Sequence, residues 1–488
     1  MGIAGLLAIA VAACSPASAR EPVDTVGTSS FAARLAIPPL AESHVGADGV
    51  RTFELEARRG QHEFVPGTTT PTMGYNGGYL GPTLRAVRGE RVRVNVHNAL
   101  DETTTLHWHG MHLPAAVDGG PHQPIAPGAR SSPSWEIRQP AASLWYHPHP
   151  HGETEEQVGQ GLAGMFILDD EPSTALRLPH TYGVDDLPLI VQDFLVDADG
   201  QRIDRRSGDI GTLGNTVAVN GVVGGHVEVT SRLVRLRLLN ASSARTYHFA
   251  FSDGRQFSQI ASDGGLLSAP HPTTAVLLSP GERAEVIVAF NPAERVTLRS
   301  TPFDLGVREH SADLGTNDRL DLLQFRAAPS LSPSVGVPAT LATIDRLAPA
   351  TATTQRAFEL EGTKINDQRM DMGRVDLTVT LGTTEIWAVK NGNGSRPHNF
   401  HIHGVQFQVL DIDGRAPPAE LGGWKDTVLL PPDLRYRLIM RFTDYADPAV
   451  PYMYHCHLLW HEDQGMMGQF VVVAPGTDPA PTHDHHPH

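Results

Sequence analysis

Three stretches of the chain share one pattern of alternating apolar and polar residues. Residues 88–99 (RGERVRVNVHNA), 231–242 (SRLVRLRLLNAS) and 382–393 (GTTEIWAVKNGN) each contain the two-residue period of a half-buried strand and an asparagine near its end. A second short segment follows each of them: LHWHGM, YHFAFS and FHIHGV. We therefore predict one β-sandwich unit used three times, at a spacing of about 140–150 residues, which suits a Greek-key sandwich.

The ends of the outer units are also alike, GLAGMFILDD in the first and GMMGQFVVVA in the third. The stretch between the second and third units is rich in Ala, Pro, Ser and Thr, which is typical of a connection. We expect an all-β fold of three consecutive β-sandwich domains. The predicted segments are a leader (residues 1–19), three domains (36–172, 184–327 and 356–475), a linker (328–355) and a histidine-rich disordered tail (476–488).

Composition supports this fold and narrows the choice of partners. The 488 residues include 47 glycines and 38 prolines, which indicates many turns between short strands. The formal net charge of −16 argues against nucleic acid or an anionic membrane as a partner, because both would repel an acidic surface. The 25 histidines are far more than an ordinary fold needs.

The beginning of the chain has the length and apolar character of a signal peptide. Two processing routes are open. A lipobox ending at Cys14 would give a lipid-anchored protein, whereas cleavage after Ala19 would give a free one. Both routes export the protein, so we expect a periplasmic, cell-surface or secreted location. We find no later segment that could cross a bilayer, and we expect a monomer.

Cys456 has no plausible intrachain disulfide partner, because the other cysteine, Cys14, belongs to the leader. Such a thiol is either a small buried hydrophobe or a metal ligand. The surrounding sequence YHCHLLWHEDQGMMG (residues 454–468) favours the metal, since it places histidines on both sides of the cysteine and a third histidine and two methionines after it.

Four clusters contain residues of the metal-binding type. Residues i and i+2 of a strand point to the same face, so each His-x-His presents two imidazoles side by side. The middle unit has His248, Phe249 and Ala250 at the corresponding place, which predicts a site shared by the first and third units only. The clusters are HWHG (His107, His109), WYHPHPHG (His147, His149, with His151 nearby), RPHNFHIHG (His398, His401, His403) and the stretch with His455, Cys456, His457, His461 and Met466.

One thiolate, two imidazoles and a distant thioether form the ligand set of a blue-copper electron-transfer site. Zinc also accepts cysteine and histidine, but structural zinc sites usually use several cysteines. His455 and His457 point away from Cys456 in an extended segment, so they would instead reach ions held by the His-x-His pairs. The candidates for the blue-copper site are Cys456, His398 and His461, with Met466 as axial ligand.

All four clusters, in this order and spacing, resemble the multicopper oxidases: three-domain laccases, copper-resistance cuprous oxidases and bilirubin oxidases. The resemblance covers residues 36–475 and implies three cupredoxin-like domains with four copper ions. A type 1 copper would lie in the third domain, and a trinuclear cluster of one type 2 and two type 3 ions between the first and third. By position, the resemblance assigns His398, Cys456, His461 and Met466 to type 1, His107 and His401 to type 2, and His109, His147, His149, His403, His455 and His457 to type 3. It leaves out His112, His122 and His151.

The resemblance also implies a reaction. A reductant would give single electrons to the type 1 copper, and Cys456 would pass them to the cluster, where O2 is reduced to water. Asp118 (in AVDGGP) and Glu462 match the acids that supply protons in the family, although each alone would be read as a turn or surface carboxylate.

The substrate is less clearly indicated. No methionine occurs between Met165 and Met370, and Gly394 stands where cuprous oxidases have an acid. Both features favour phenols and aromatic amines over cuprous or ferrous ion, although residues 370–372 with Met467 form either a small metal-binding patch or ordinary strand packing. Two other classes stay open: a copper-binding protein without turnover, and cell-division members of the superfamily that lost their coppers. The last class predicts missing ligands, and none is missing.

Overall fold

The structure is a computed structural model that describes residues 20–65, 67–203, 209–307 and 311–480. The predicted leader with Cys14, and residues 481–488 of the predicted tail, lie outside this part of the chain. Within it, three pairs of sheets follow one another and the helices are short, which confirms the predicted all-β class. No helix in these residues is long and apolar enough to span a membrane.

The strands of the first sheet pair come from the first third of the chain, and the other two pairs follow in order. The strands of the first are β1 (Ser43–Val45), β2 (Val50–Val65), β3 (Thr68–Tyr75), β4 (Leu84–Val87), β5 (Arg91–Asn98), β6 (His107–His109), β7 (Arg130–Ser131), β8 (Ser134–Glu136), β9 (Ala142–His147) and β10 (Gly164–Asp169). Those of the second are β11 (Asp186–Phe194), β12 (Thr216–Val219), β13 (Val222–Val223), β14 (Gly225–Ser231), β15 (Leu233–Asn240), β16 (Tyr247–Phe251), β17 (Phe257–Ser262), β18 (Gly265–Thr273), β19 (Ala275–Leu278), β20 (Arg283–Ala289), β21 (Arg295–Ser300) and β22 (Leu320–Ser332). Those of the third are β23 (Ala352–Glu361), β24 (Lys364–Ile365), β25 (Leu377–Thr380), β26 (Thr384–Asn391), β27 (His398–Ile402), β28 (Phe407–Ile412), β29 (Thr427–Leu430), β30 (Arg435–Arg441), β31 (Asp447–His455) and β32 (Met467–Val473). The helices of the described residues are α1 (Thr154–Gly159), α2 (Glu171–Ala175) and α3 (Leu459–Asp463), with 3-10 turns at Ala115–Val117, Ser311–Leu314, Pro349–Thr351 and Ala419–Leu421.

The three units repeat one topology. In each unit a parallel strand pair occurs in both sheets: β2 with β5 and β4 with β10, β11 with β15 and β14 with β22, and β23 with β26 and β25 with β32. A buried apolar cluster fills the space between the two sheets of each unit. The hydrophobic effect therefore stabilises each sandwich from within, and smaller apolar clusters also join the first unit to the second.

The three asparagines of the repeated strands have the same role in each unit. Asn98, Asn240 and Asn391 end β5, β15 and β26, and all three are fully buried. Each side-chain amide donates to two backbone carbonyls, for example Asn240 Nδ2 to Leu278 O (2.9 Å) and to Arg245 O (2.7 Å). Each Oδ1 accepts from the backbone N–H two residues later. The asparagine thus satisfies one carbonyl of the loop that leaves the strand and one carbonyl of a segment distant in the chain.

The division of the chain into domains stays our proposal. The observed strands extend beyond the edges of the predicted segments. The linker expected at 328–355 is shorter, because β22 continues to Ser332 and β23 begins at Ala352. The small residues at both edges of this segment pair with neighbouring strands, which their composition does not indicate. In the predicted tail, the backbone N–H of Ala480 donates to Pro448 O (2.8 Å).

Candidate metal centre

Strand pairing places the histidines of each outer unit side by side. β6 pairs with β9 so that His107 lies opposite His147, and β27 pairs with β31 so that His401 lies opposite His455. The second histidine of each His-x-His is on the same face, as expected for a period of two residues. All eight histidines of these four pairs are at most 1% exposed.

The two outer units bring their histidine faces together. The rings of His107 and His403 are stacked with centroids 3.8 Å apart, and those of His109 and His401 are stacked at 3.7 Å. Each stack joins the first unit to the third. The histidines of both ends of the chain therefore enclose one common volume.

The remaining four histidines close the sides of this volume. Nε2 of His149 lies 3.2 Å from Nε2 of His455, and Nε2 of His147 lies 3.4 Å from Nε2 of His457. Imidazole is the commonest metal ligand in proteins, so rings whose nitrogens face each other across an enclosed volume can share metal ions. The groups that could hold an ion include His107–His109–His147, His107–His401–His403 and His149–His403–His455.

Hydrogen bonds fix the outward nitrogens of two of these rings. Nδ1 of His107 donates to Asp118 O (3.0 Å) and Nδ1 of His401 donates to Asp426 O (2.8 Å). This leaves Nε2 of both rings buried without a hydrogen-bond partner in the described part of the chain. Burial lowers the pKa of both histidines well below the ordinary value, so the rings are neutral and offer a lone pair. Two orphaned lone pairs directed into an enclosed volume fit a metal ion.

A second donor set lies in the third unit. Sγ of Cys456 is 3.7 Å from Nδ1 of His398 and 3.7 Å from Nδ1 of His461, and these two nitrogens are 3.1 Å apart. Helix α3, which follows Cys456 directly, carries His461 back to the sulfur. Burial raises the pKa of the Cys456 thiol to about 12, so a cation is needed to hold the thiolate. One sulfur and two nitrogens around one point fit a blue copper ion.

Met466 lies beside this set in the buried core of the third unit. Its carbonyl accepts from the backbone N–H of Cys456 (3.1 Å), and its own N–H donates to His461 O (2.9 Å). Its role as axial ligand stays our proposal, as do the individual assignments to type 1, type 2 and type 3 ions.

The two predicted acids both contact histidines of the enclosed volume. Oδ2 of Asp118 accepts from Nδ1 of His403 (2.7 Å), and burial raises the pKa of this carboxyl well above its ordinary value. The Glu462 carboxylate lies 3.3 Å from Nδ1 of His149 and 3.2 Å from Nδ1 of His455. Burial alone would raise the pKa of Glu462, but these histidines hold it well below its usual range. The pKa values of the two acids are thus shifted in opposite directions, and the two carboxyl groups contact different histidines of the volume.

The histidines that the motif leaves out lie elsewhere. Nδ1 of His112 is 3.0 Å from the Asp444 carboxylate, Nε2 of His122 is 2.7 Å from Oε1 of Gln469, and His151 is exposed.

Sequence reasoning missed several residues that shape the site. Asp426 accepts from the His109 ring and is held by Arg283 of the middle unit. Asn399 lies between the two donor sets, since its Oδ1 accepts from the Cys456 thiol (3.5 Å) and from the His457 N–H (2.5 Å). A charged residue directly before a buried strand, as in WKDTVLL, was the available signal for Asp426.

The fold and the two donor sets together define a copper oxidase built from cupredoxin-like domains. Sequence profiles described as multicopper oxidase match residues 56–173 and 338–476. The chain is 35% identical over 443 residues to the multicopper oxidase mco of Staphylococcus haemolyticus, covering 89% of this chain and 92% of that protein. The chain therefore belongs to the multicopper oxidase family, and copper is its cofactor. Four ions are typical of the family.

Other relatives show the range of this family. The cell division protein FtsP of Escherichia coli is 35% identical over 444 residues, covering 90% of this chain and 92% of that protein. A laccase-like multicopper oxidase, CueO of Ochrobactrum sp., described with oxidase activity towards lignin model compounds and lignosulfonate, has a TM-score of 0.82 at 37% identity, covering 90% of this chain and all of that one. A multicopper oxidase of Campylobacter jejuni described as a metallo-oxidase has a TM-score of 0.79 at 28% identity, covering 94% and 98%. The predicted cupredoxin-like architecture is confirmed by these solved structures.

Proposed function

We propose that this oxidase takes electrons from small phenols and aromatic amines and reduces O2 to water. The observation that carries the proposal is a cavity of about 370 Å³ whose lining includes His461. This volume is large enough for a single-ring molecule. The lining also contains the Trp460 indole and the polar side chains of Asp209, Asn393, Ser395 and Arg396.

The cavity reaches the blue-copper donor set at one histidine. His461 is 2% exposed, and its Nε2 donates to the backbone carbonyl of Asp209 (2.9 Å). Its Nδ1 faces Cys456, so one imidazole connects the cavity to the sulfur. A reductant in the cavity therefore lies one ring away from the donor set, which is a short path for an electron.

The bound coppers would supply one-electron acceptance at the blue site and multi-electron reduction of O2 at the cluster. Each phenol loses one electron and one proton, and four such losses balance O2 plus four electrons and four protons giving two waters. The peptide of Cys456 joins the two sites, because His455 and His457 belong to the cluster. Asp118 would carry protons next to His403, and Glu462 would carry protons next to His149 and His455. The chain thus provides proton positions on two sides of the cluster.

A metallo-oxidase acting on cuprous or ferrous ion is the second candidate, since one structural neighbour is described as such. In the described residues, however, no group of three histidine, cysteine or carboxylate side chains that could hold a further ion lies in the cavity at His461. A role without turnover, as the similarity to FtsP would allow, is disfavoured by the complete set of donors. An exported location stays part of the proposal.

The direct test is oxygen uptake by copper-loaded protein with a methoxyphenol, ferrous ion and cuprous ion as separate reductants. We expect uptake with the phenol at one O2 per four phenols, and loss of both the blue colour and the uptake in Cys456→Ser. Uptake with the metal ions alone would refute the choice of substrate, and no uptake with any reductant would refute the oxidase.

The cavity itself can be tested by filling it. Ser395→Trp is expected to raise KM for the phenol while the blue absorption is unchanged, because the new ring occupies the space beside His461. Ser268→Trp is the matched control, since Ser268 lines a separate cavity of about 540 Å³. Equal KM values for the two variants would show that the phenol binds elsewhere.

The proposed proton carriers Asp118 and Glu462 lead to a separate prediction about kcat. Asp118→Asn and Glu462→Gln keep the size of each side chain but remove a proton carrier, so kcat is expected to fall by about 10²–10⁴, the usual contribution of acid–base groups. The blue absorption should persist in both variants. Steady-state oxygen uptake with a phenol measures the effect, and an unchanged kcat would remove these acids from the reaction.

A further inference from the structure

The middle unit holds none of the cluster histidines, yet one of its loops forms a wall of the cluster. The loop joins β19 to β20 and contains Gly281 with a φ of +83°. A Cβ at Gly281 would lie 3.1 Å from Cγ of His457 and 3.2 Å from Cε1 of His109. The loop therefore touches rings from both outer units.

Arg283, which begins β20, uses all five of its N–H groups, and its partners lie in three units. Nε donates to Ser143 O of the first unit (3.0 Å). Nη1 and Nη2 donate to Gly281 O (3.0 Å) and Asp263 O (3.1 Å) of the middle unit. The same two nitrogens bind the Asp426 carboxylate of the third unit in a bidentate ion pair (2.6 and 2.7 Å). The guanidinium and the carboxylate are both fully buried.

Asp426 in turn holds cluster histidines. Its Oδ1 accepts from Nε2 of His109 (3.1 Å) and from the Thr427 hydroxyl (2.9 Å), and its backbone carbonyl accepts from Nδ1 of His401. Nε2 of His109 therefore carries the proton. Nδ1 of His109 faces the cluster, 3.4 Å from Nε2 of His147. His109 thus presents a different nitrogen from His107 and His401, whose free nitrogens are Nε2.

We propose that Arg283 is a positioning residue of the copper cluster: through Asp426 it holds His109 in the orientation that turns Nδ1 towards the metal ions. The copper-free middle domain thereby completes a site whose ligands all belong to its neighbours. Groups that orient ligating histidines commonly change metal affinity by about 10–100-fold when altered. The proposal rests on the copper site of the proposed oxidase and is independent of its reductant.

The chain provides a matched control. Arg237 is also buried and also forms a bidentate ion pair, with Asp186, and it contacts Ser143 of the first unit as Arg283 does. Its partners in the described residues, Asp186, Glu285 and Ser143, contact no cluster histidine. Replacing either arginine thus disturbs a buried bidentate ion pair and a hydrogen bond to Ser143 of the first unit, but only Arg283 leads to the cluster.

The experiment compares Arg283→Lys with Arg237→Lys after dialysis against a graded copper chelator. Lysine keeps the charge but cannot span two carboxylate oxygens and three carbonyls. We expect Arg283→Lys to keep its blue absorption, which reports an intact third domain, and to lose the cluster coppers at about 10–100-fold lower chelator strength than the wild type. The type 2 signal in electron paramagnetic resonance should fall relative to the type 1 signal. Arg237→Lys should keep both signals.

Equal retention of cluster copper by the two variants would overturn the proposal, and so would equal loss of the type 1 and type 2 signals in Arg283→Lys. If Arg283→Lys does not fold, Asp426→Ala is measured in the same way, since it removes the acceptor for His109 directly. Normal cluster copper in folded Asp426→Ala would also overturn the proposal. Copper retention and phenol turnover are separate readouts, so failure here is distinguishable from a wrong substrate.

Discussion

At the scale of single residues, the two nitrogens of several cluster imidazoles have different roles. In these rings one nitrogen donates to a carbonyl or carboxylate and fixes the ring, and the other is left for the metal. His107 is fixed by Asp118 O and His401 by Asp426 O, so their Nε2 atoms face inwards. Burial keeps these rings neutral before any ion binds. The protein therefore prepares the lone pairs in advance, which reduces the cost of binding copper.

A substitution at Gly281 tests whether the loop of the middle unit contacts the cluster histidines. Alanine at this position has the usual strain of a positive φ, about 1 kcal/mol, and its methyl group also pushes against His109 and His457. We expect Gly281→Ala to lower the copper content of the cluster, measured by metal analysis and electron paramagnetic resonance. Gly254→Ala, with φ of +69° and no neighbour within 4 Å of the added Cβ, is the control for strain alone. Identical copper contents would contradict the proposed contact.

The proposed axial role of Met466 leads to a prediction about the reduction potential of the type 1 copper. Axial ligands tune the potential of blue-copper sites, and a thioether goes with a lower potential than an aliphatic side chain. We expect Met466→Leu to raise the type 1 potential in a spectroelectrochemical titration. Met440→Leu is the control, because Met440 is buried in the same apolar core. A fall or no change in Met466→Leu would reject the axial assignment.

At the scale of strands, the repeated pattern in the sequence corresponds to a repeated structural device. The alternation in residues 88–99, 231–242 and 382–393 predicts three equivalent strands, and β5, β15 and β26 end at their asparagines. This much was predictable because strand period and turn chemistry are local. The roles of Asp426 and Arg283 were not predictable, because they depend on a contact between two residues that lie 143 positions apart in the chain. The strand residues inside the predicted linker were not predictable for a related reason, since edge strands of small residues resemble connections in composition.

Asn240 of the middle unit, in whose described residues no possible metal-binding group lies, allows the effects on stability and on copper binding to be measured separately. Asn240→Ala removes donors from two buried carbonyls and an acceptor from the Ser242 N–H, which should cost roughly 2–4 kcal/mol of unfolding free energy. The blue absorption per folded chain should be unchanged. Asn291→Ala, at an exposed position, is the control in the same denaturant titration. Equal stability of the two variants would show that the buried bonds contribute nothing.

At the scale of the whole molecule, buried charged groups of the middle unit contact both neighbours, Arg283 through Asp426 of the third unit and Glu285 through Ser143 of the first. Glu285 of the middle unit accepts from Ser143 of the first unit and from Arg235 and Arg237 of its own. Burial alone would raise the pKa of Glu285, but the two arginines lower it from 4.5 to about 2. Such a carboxylate stabilises the folded state above its unfolded pKa, and this stabilisation is lost as the pH falls towards the folded pKa.

The lowered pKa of Glu285 predicts how the unfolding free energy of the protein changes at acidic pH. The lowered pKa corresponds to roughly 3 kcal/mol that is present above about pH 4.5 and disappears towards pH 2. We expect Glu285→Gln to be less stable at neutral pH and to have a flatter dependence of unfolding free energy on pH in that window. The exposed Glu361 gives the control variant Glu361→Gln. Parallel pH curves for wild type and Glu285→Gln would contradict the shift.

The stacked rings of His107 with His403 and of His109 with His401 have a consequence for biosynthesis. The first unit is translated before the third, so half of the cage is absent until the third unit has been made and folded. Uptake of the cluster ions must therefore follow docking of the third unit against the first.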